Sequence, residues 1–223
     1  MPNTELANFL NVALDVQSPP YEGIHVGGGV AAATDSYLLV AANWGEGFLR
    51  GEGTIPPKAA RILAAMAEST YVGRIEVNIN RVTLQARSTR YEENVGEVAG
   101  EFKTVELPEF YCRQFPVERL VSVLTDDEAG WAPLAEKPNL KLLRTLSSKD
   151  YVALSGLFGE GDALFVPAVG DETWRYSVSQ LRRGLRLFGN NSRLSVRRNA
   201  KGWLAFDDQF GYTFAVTPFV KYD

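Results

Sequence analysis

Four times along the chain a short amphipathic helix is followed by paired β-strands, and this arrangement constrains the fold more than any single motif. The helices start near Glu5, Pro57, Val117 and Ser179, so consecutive starts lie 52, 60 and 62 residues apart. A period of that size marks one supersecondary unit copied to build a larger surface. The first helix places Leu6, Phe9, Leu10 and Ala13 at i, i+3, i+4 and i+7, one apolar stripe. Ser18-Pro19-Pro20 ends it, because proline has no N–H and restricts the residue before it. Strands over Gly23–Val26 and Val30–Val40 are joined by Gly27-Gly28-Gly29, whose glycines supply the positive φ of a tight turn.

The second unit opens with Ile55-Pro56-Pro57, proline being tolerated in the first turn of a helix. Its helical wheel puts Ala59, Ile62, Leu63 and Met66 on one side and Lys58, Arg61, Ala65 and Glu68 on the other. Strands at Arg74–Ile79 and Val82–Arg87 follow, turning at Asn80-Arg81, with Ile75, Val77 and Ile79 on one face. The third unit opens with Phe115-Pro116, and its helix carries the stripe Val117, Leu120, Val121 and Leu124. Strands are expected at Leu140–Leu146, Tyr151–Ser155 and Ala163–Ala168. In the fourth unit Ser177 and Gln180 fit a capping box, Leu181, Leu185 and Phe188 form the stripe, and Gly189-Asn190 ends the helix. The closing strands are Arg193–Arg198, Gly202–Phe206 and Tyr212–Val216.

Pairing the units predicts an α+β protein of two tandem domains, residues 1–104 and 105–223, each with two helices on antiparallel sheet. The seam falls near Gly100–Glu109, where an extended segment over Phe102–Leu107 precedes Pro108. At 223 residues the chain is long enough for two such cores, and 45% hydrophobic against 22% charged residues excludes a disordered protein.

Few chemistries are open to this composition. Cys112 is the single cysteine, so no internal disulfide forms, and it reads as a small buried hydrophobe in a cytoplasmic protein. Met1–Glu5 has no basic leader region and no apolar run reaches the ~20 residues of a membrane span, so no membrane partner is expected. His25 is the only histidine, which leaves no multi-histidine metal site and no histidine for a catalytic triad elsewhere in the chain, and it reads as a cross-strand structural residue. Asp126-Asp127-Glu128 reads as a solvated loop after a helix rather than a cation site. No metal, cofactor or catalytic residue is expected. A dinucleotide-binding enzyme is the remote alternative: Gly27-Gly28-Gly29-Val30-Ala31-Ala32 satisfies G-x-G-x-x-A, but a helix would have to follow over Val30–Val40. A net charge of −4 excludes nucleic-acid binding by overall basicity, so any such contact needs locally arranged Lys and Arg.

Three stretches resemble the DNA sliding clamps, the processivity factors of replicative polymerases. Gly28-Gly29-Val30-Ala31-Ala32-Ala33-Thr34-Asp35-Ser36-Tyr37-Leu38-Leu39-Val40 is similar to the clamp strand pair joined by a Thr-Asp turn. Ile55-Pro56-Pro57-Lys58-Ala59-Ala60-Arg61-Ile62-Leu63 resembles the helix that opens a clamp half-domain. Tyr212-Thr213-Phe214-Ala215-Val216-Thr217-Pro218-Phe219-Val220 resembles the closing strand of a bacterial clamp.

The resemblance implies a ring of six domains with helices lining a channel around duplex DNA, and a homotrimer when each chain supplies two domains. It implies non-specific contact with the DNA backbone by Lys58, Arg61, Arg182, Arg183 and Arg186, away from the core stripes. DNA polymerase and a clamp loader are the implied protein partners. Their peptides would dock on Pro218, Phe219 and Val220 if the bacterial site is used, or on the Gly100–Glu109 connector if the trimeric-clamp site is used. The strand similarity to bacterial clamps in a two-domain chain implies a phage or mobile element. Two departures stand out: the first helix shows Asn8, Asn11 and Asp15, and the third Glu118, Arg119 and Ser122. Neither face is basic, which keeps open a clamp-like scaffold or decoy that binds replication proteins without encircling DNA.

Overall fold

The computed structural model describes residues 3–79, 81–87, 89–92, 96–108, 112–125, 130–134, 143, 145–147, 151–153, 174–189 and 194–218. The fold is α+β, as expected, with α-helices at Asn3–Val16, Pro57–Ser69, Val117–Thr125 and Val178–Leu185. The chain forms two compact units, one of residues 1–35 and 41–121 and the other of residues 36–40 and 122–223.

In the first unit α1 (Asn3–Val16) buries Leu6, Phe9, Leu10 and Ala13 as its spacing requires, together with Ala7, Val12 and Val16. It packs against α2 (Pro57–Ser69). The strands β1 (Ile24–Gly27) and β2 (Val30–Thr34) pair in antiparallel register with Gly27 opposite Val30. Gly28 and Gly29 hold the two-residue turn at φ 57° and 77°, where a side chain would be strained. The Thr34-Asp35 turn then leads to β3 (Leu38–Asn43), with Ser36 in the left-handed region at φ 77°. Val30–Val40 is therefore two strands. There is no helix N-terminus to receive a pyrophosphate, and the dinucleotide reading falls.

Short strands escape the sequence patterns. β4 (Leu49–Gly51) runs parallel to β6 (Tyr71–Asn78), and β5 (Gly53–Ile55) runs antiparallel to β1. β7 (Arg81–Arg87) pairs with β6, burying Ile75, Val77, Val82, Leu84 and Ala86 on one face. Ile79 is instead 72% exposed at the end of that hairpin, because its strand has already ended at Asn78. Asn80 lies outside the described residues. The hairpin of β8 (Thr89–Glu92) and β9 (Gly96–Ala99) was not expected. β10 (Lys103–Glu106), within the predicted extended segment, pairs with β7 to complete the order β10-β7-β6-β4.

α3 (Val117–Thr125) buries Val117 and Leu124 and half-buries Leu120 and Val121. In the second unit Leu143 and Thr145 are helical, which corrects the strand expected over Leu140–Leu146. The apolar run there is too short to distinguish the two by pattern. The segments expected at Ala163–Ala168 and Asp126–Glu128 lie outside the described residues. β11 (Ala132–Leu134), β14 (Ser195–Arg198), β15 (Leu204–Asp207) and β16 (Tyr212–Val216) form an antiparallel sheet in that order. Pro133 fits because β11 is the outermost strand, where a missing N–H is tolerated. β12 (Tyr151–Ala153) pairs with β13 (Arg175–Ser177).

α4 (Val178–Leu185) starts where the Ser177 side chain accepts a hydrogen bond from the Gln180 N–H, the forward half of the expected box. It seats on the sheet through Gly184, since a Cβ there would come within 2.3 Å of the Phe214 ring. Phe214 stacks in turn on Phe206, with centroids 5.0 Å apart. A 3-10 turn (Arg186–Phe188) follows and Gly189 closes it at φ 55°.

Candidate nucleic-acid interface

The two helices proposed to carry basic faces use their cations differently. α2 begins at Pro57 and buries Ala59, Ala60, Leu63, Ala64 and Ala67. Its buried stripe is therefore Ala60, Leu63, Ala64 and Ala67, rotated from the one predicted. Ile62 is 36% exposed and Met66 half-buried. Alanine's small hydrophobicity explains the mistaken phase: the wheel followed the larger Ile and Met, whereas close packing against α1 selects the small residues. Lys58, Arg61, Ala65 and Glu68 are exposed, as the sequence implied.

On α4 the cations divide. Arg182 is half-buried, donating from Nε to the Leu143 carbonyl at 2.7 Å and from Nη2 to the Leu146 carbonyl. A guanidinium with two main-chain acceptors fastens a neighbouring segment to the helix. Arg183 is half-buried, and Arg186 is exposed where the helix gives way to the 3-10 turn. The apolar side is Val178, Leu181 and Gly184, with Leu185 half-buried, then Leu187 and Phe188. On the other two helices Asn11, Asp15, Glu118, Arg119 and Ser122 are exposed and Asn8 half-buried.

Of the residues proposed for partner peptides, Pro218 is half-buried, and Phe219 and Val220 lie outside the described residues. The Thr217 N–H donates to the Tyr37 carbonyl at 2.9 Å, which holds Pro218 next to the Ser36-Tyr37 turn. Tyr37 is 62% exposed and was not picked out from the sequence. The available signal was a large aromatic following a left-handed turn residue, where a core side chain is not expected. In the Gly100–Glu109 connector Phe102 is 47% exposed and Leu107 is buried, its N–H bonded to the Val82 carbonyl.

The remaining chemical candidates are structural. His25 is fully buried, its Nδ1 3.0 Å from Thr54 Oγ1 across the β1–β5 pair. Burial pushes its imidazole below the ordinary histidine value, partly offset by the Tyr21 backbone. Cys112 is half-buried rather than buried, 3.9 Å from the Thr54 carbonyl. Burial, aided by Glu22, raises its thiol, the opposite of what activates a nucleophile. Among the described residues no group of three or more His, Cys, Asp or Glu side chains could hold a metal ion. No helix among them is long and apolar enough to cross a membrane.

No protein-family model matches the sequence, and no curated protein matches it. Solved structures do match. DNA polymerase III subunit β from Borrelia burgdorferi, in complex with a natural product, aligns with 100% of this chain and 64% of its own at TM-score 0.57 and 12% identity. A putative DNA polymerase III β subunit from Eubacterium rectale aligns with 100% of this chain and 65% of its own at TM-score 0.54 and 11% identity. The chain thus spans less than two thirds of the length of either. Identities this low speak to architecture alone: the α+β fold of this chain is the sliding-clamp fold of the DNA polymerase III β subunit.

Proposed function

We propose that this protein is a DNA sliding clamp, encircling duplex DNA as a ring and tethering a replicative polymerase for processive synthesis. The observation that carries the reading is a clamp fold extending over the whole chain. In this reading the two units are two clamp-like domains, and three such chains close a six-domain ring in the cytoplasm of a bacterium or of a phage-infected host. Lys58 and Arg61 on the exposed side of α2, with Arg183 and Arg186 at the end of α4, meet phosphates without reading bases, which permits sliding. Arg182 takes a supporting part, since its donors already serve two carbonyls. Partner peptides of the polymerase and a clamp loader dock beside Pro218 and the exposed Tyr37.

Retention on primed circular DNA with the cognate polymerase and loader tests the proposal. A clamp stays on closed circles, leaves when they are linearised, and lengthens polymerase products. Loss from circles as fast as from linear DNA would refute it. Light scattering at micromolar concentration should give the mass of a trimer. One observation favours a second reading, a clamp-like scaffold that binds replication proteins off DNA: the exposed sides of α1 and α3 carry Asn11, Asp15 and Glu118. That reading gains if the polymerase is bound while circular DNA is not retained.

A further inference from the structure

β5 pairs with β1 at the edge of its sheet, and one run of chain, residues 112–118, lies across one face of the pair. His25 and Gly27 stand on that face, two residues apart on β1, and Thr54 of β5 is opposite His25. Cys112 Sγ lies 3.9 Å from the Thr54 carbonyl. Phe115 meets the His25 ring edge to face with centroids 5.8 Å apart, and meets Tyr21 in the same way at 5.1 Å. Gly27 lets the run settle, since a Cβ there would come within 2.8 Å of Val117 Cγ1 and 2.7 Å of Glu118 Oε1. Among the described residues no main-chain hydrogen bond ties 112–116 to either strand. The run is therefore a strap held by side chains, able to lift without breaking a strand pairing.

At the centre of the covered face is a titratable ring. His25 is fully buried, with Nδ1 3.0 Å from Thr54 Oγ1 and Nε2 without a hydrogen-bond partner among the described residues. A neutral imidazole has one N–H to place, and the Thr54 hydroxyl can accept it at Nδ1. An imidazolium has two, and the second, on Nε2, would be a charged donor buried without an acceptor. Burial accordingly holds the folded imidazole below the ordinary histidine value, with the Tyr21 backbone offsetting part of the shift. The other ionisable groups around this face are Tyr21, Glu22, Glu52, Cys112 and Glu118, with Arg113 exposed on the strap. The three carboxylates are exposed at its rim, and among the described residues none of them hydrogen-bonds the imidazole.

We infer that the strap of residues 112–118 is released from β1 and β5 when His25 takes up a proton. Phe115 has to leave, because it lies on the imidazole. Once it has left, water reaches the second N–H, and the rim carboxylates favour the positive charge. The open form binds the proton with about ordinary histidine affinity and the closed form more weakly. Opening is therefore promoted below about pH 6.5, by about tenfold per pH unit until the folded pKa is reached, and above that range the strap stays down. Release uncovers the rings of Tyr21 and Phe115 and the His25–Thr54 row, so acid turns a closed face into an accessible one. All of these groups belong to the first unit, so the strap works whether or not the chain forms a ring or holds DNA.

His25 is the only histidine and Cys112 the only cysteine, so the titrating group and a reporter on the strap are both unique. The full-length chain is treated with dithiodipyridine, a disulfide that reacts with thiols even in acid, from about pH 7 to about pH 4.5. Each rate is divided by that of a blocked peptide of residues 112–118, which cancels the ordinary loss of thiolate. The ratio should rise about fivefold or more toward acid, with the same midpoint as the His25 ring signals followed by NMR. His25→Gln, which cannot take up the proton, should give a flat ratio. Phe115→Ala should leave the strap open, with a ratio near neutral pH within about twofold of the wild-type acid value. That variant carries the test if His25→Gln fails to fold by circular dichroism. A flat wild-type ratio, an equal rise in His25→Gln, a Phe115→Ala ratio that stays low near neutral pH, or loss of far-UV circular dichroism over the same pH range would each overturn the assignment.

Discussion

α2 and α4 look alike on a helical wheel, each with two or more cations opposite an apolar stripe, yet they relate to the rest of the protein in opposite ways. α2 packs through alanines and Leu63 and leaves Lys58 and Arg61 exposed. α4 sits on Phe214 through a glycine and turns Arg182 back onto the carbonyls of Leu143 and Leu146. A cation on a helix surface is available to a ligand only after the protein's own acceptors have been served. Arg61 thus stands exposed on the surface of one helix, whereas Arg182 is part of the tertiary structure in the other.

The largest effects should come from the packed sides. Leu63 is fully buried, and Leu63→Ala should destabilise the protein by about 2–5 kcal/mol through lost burial and the cavity left behind. At the equivalent contact of α4 the opposite change is harmful: Gly184→Ala drives a methyl into Phe214 and should cost about 1–3 kcal/mol. Denaturant midpoints measure both. If Gly184→Ala were neutral, the seating of α4 on Phe214 would be looser than the geometry describes.

Arg182→Gln comes next. It removes a charged donor from two main-chain carbonyls and should cost about 1–3 kcal/mol. A loss of stability with DNA retention unchanged would sharpen the contrast between the helices. A loss of retention with unchanged stability would break it.

The two units should also part company in their response to pH. His25 belongs to the first unit, and its folded pKa lies below the unfolded value, so the unfolded chain binds the extra proton. Its contribution is fully present above about pH 6.5 and is lost as pH falls from there through the folded pKa. Tyr176, fully buried in the second unit, donates its hydroxyl to the Gly202 carbonyl, and burial raises its pKa despite the nearby Arg198. Its contribution is present below about pH 10 and is lost as pH rises beyond that value, where the unfolded tyrosine ionises first. Hydrogen exchange should therefore show the first unit opening earlier in acid and the second in alkali. His25→Gln and Tyr176→Phe should each remove the corresponding slope, and an unchanged slope in either would discard that assignment.

These contrasts mark how far the sequence could be read. The α1 stripe, the Gly28-Gly29 hairpin and the three closing strands were legible because each rests on local chemistry: periodicity, positive φ or apolar runs bounded by turn residues. The Thr34-Asp35 turn came from the clamp resemblance, since the apolar pattern ran a single strand over Val30–Val40 where the chain forms two. β4, β5 and β11 are three residues long, too short for any period to register. The phase of α2 was misread because alanine carries little hydrophobic signal although it packs most closely. The fate of Arg182 was illegible for a different reason. Its acceptors lie 39 and 36 residues away in sequence, so only the tertiary fold shows that they meet. The exposure of Tyr37 was illegible likewise, because the Thr217 N–H that bonds its carbonyl lies far along the chain.

The smallest effect on stability should be the most informative about function. Lys58 and Arg61 are exposed on the side of α2 away from its buried alanines, so Lys58→Ala with Arg61→Ala should change stability by less than about 0.5 kcal/mol. If these side chains neutralise phosphates, each substitution removes about one released counterion. The slope of log K against log salt for DNA binding should then fall by about 0.9 per residue on duplex DNA. Arg182→Gln, measured in parallel, should leave that slope unchanged while lowering the denaturation midpoint. The paired experiment separates the helices along two independent axes. A double α2 variant that keeps the full salt slope would remove α2 from the DNA interface, whatever its charge.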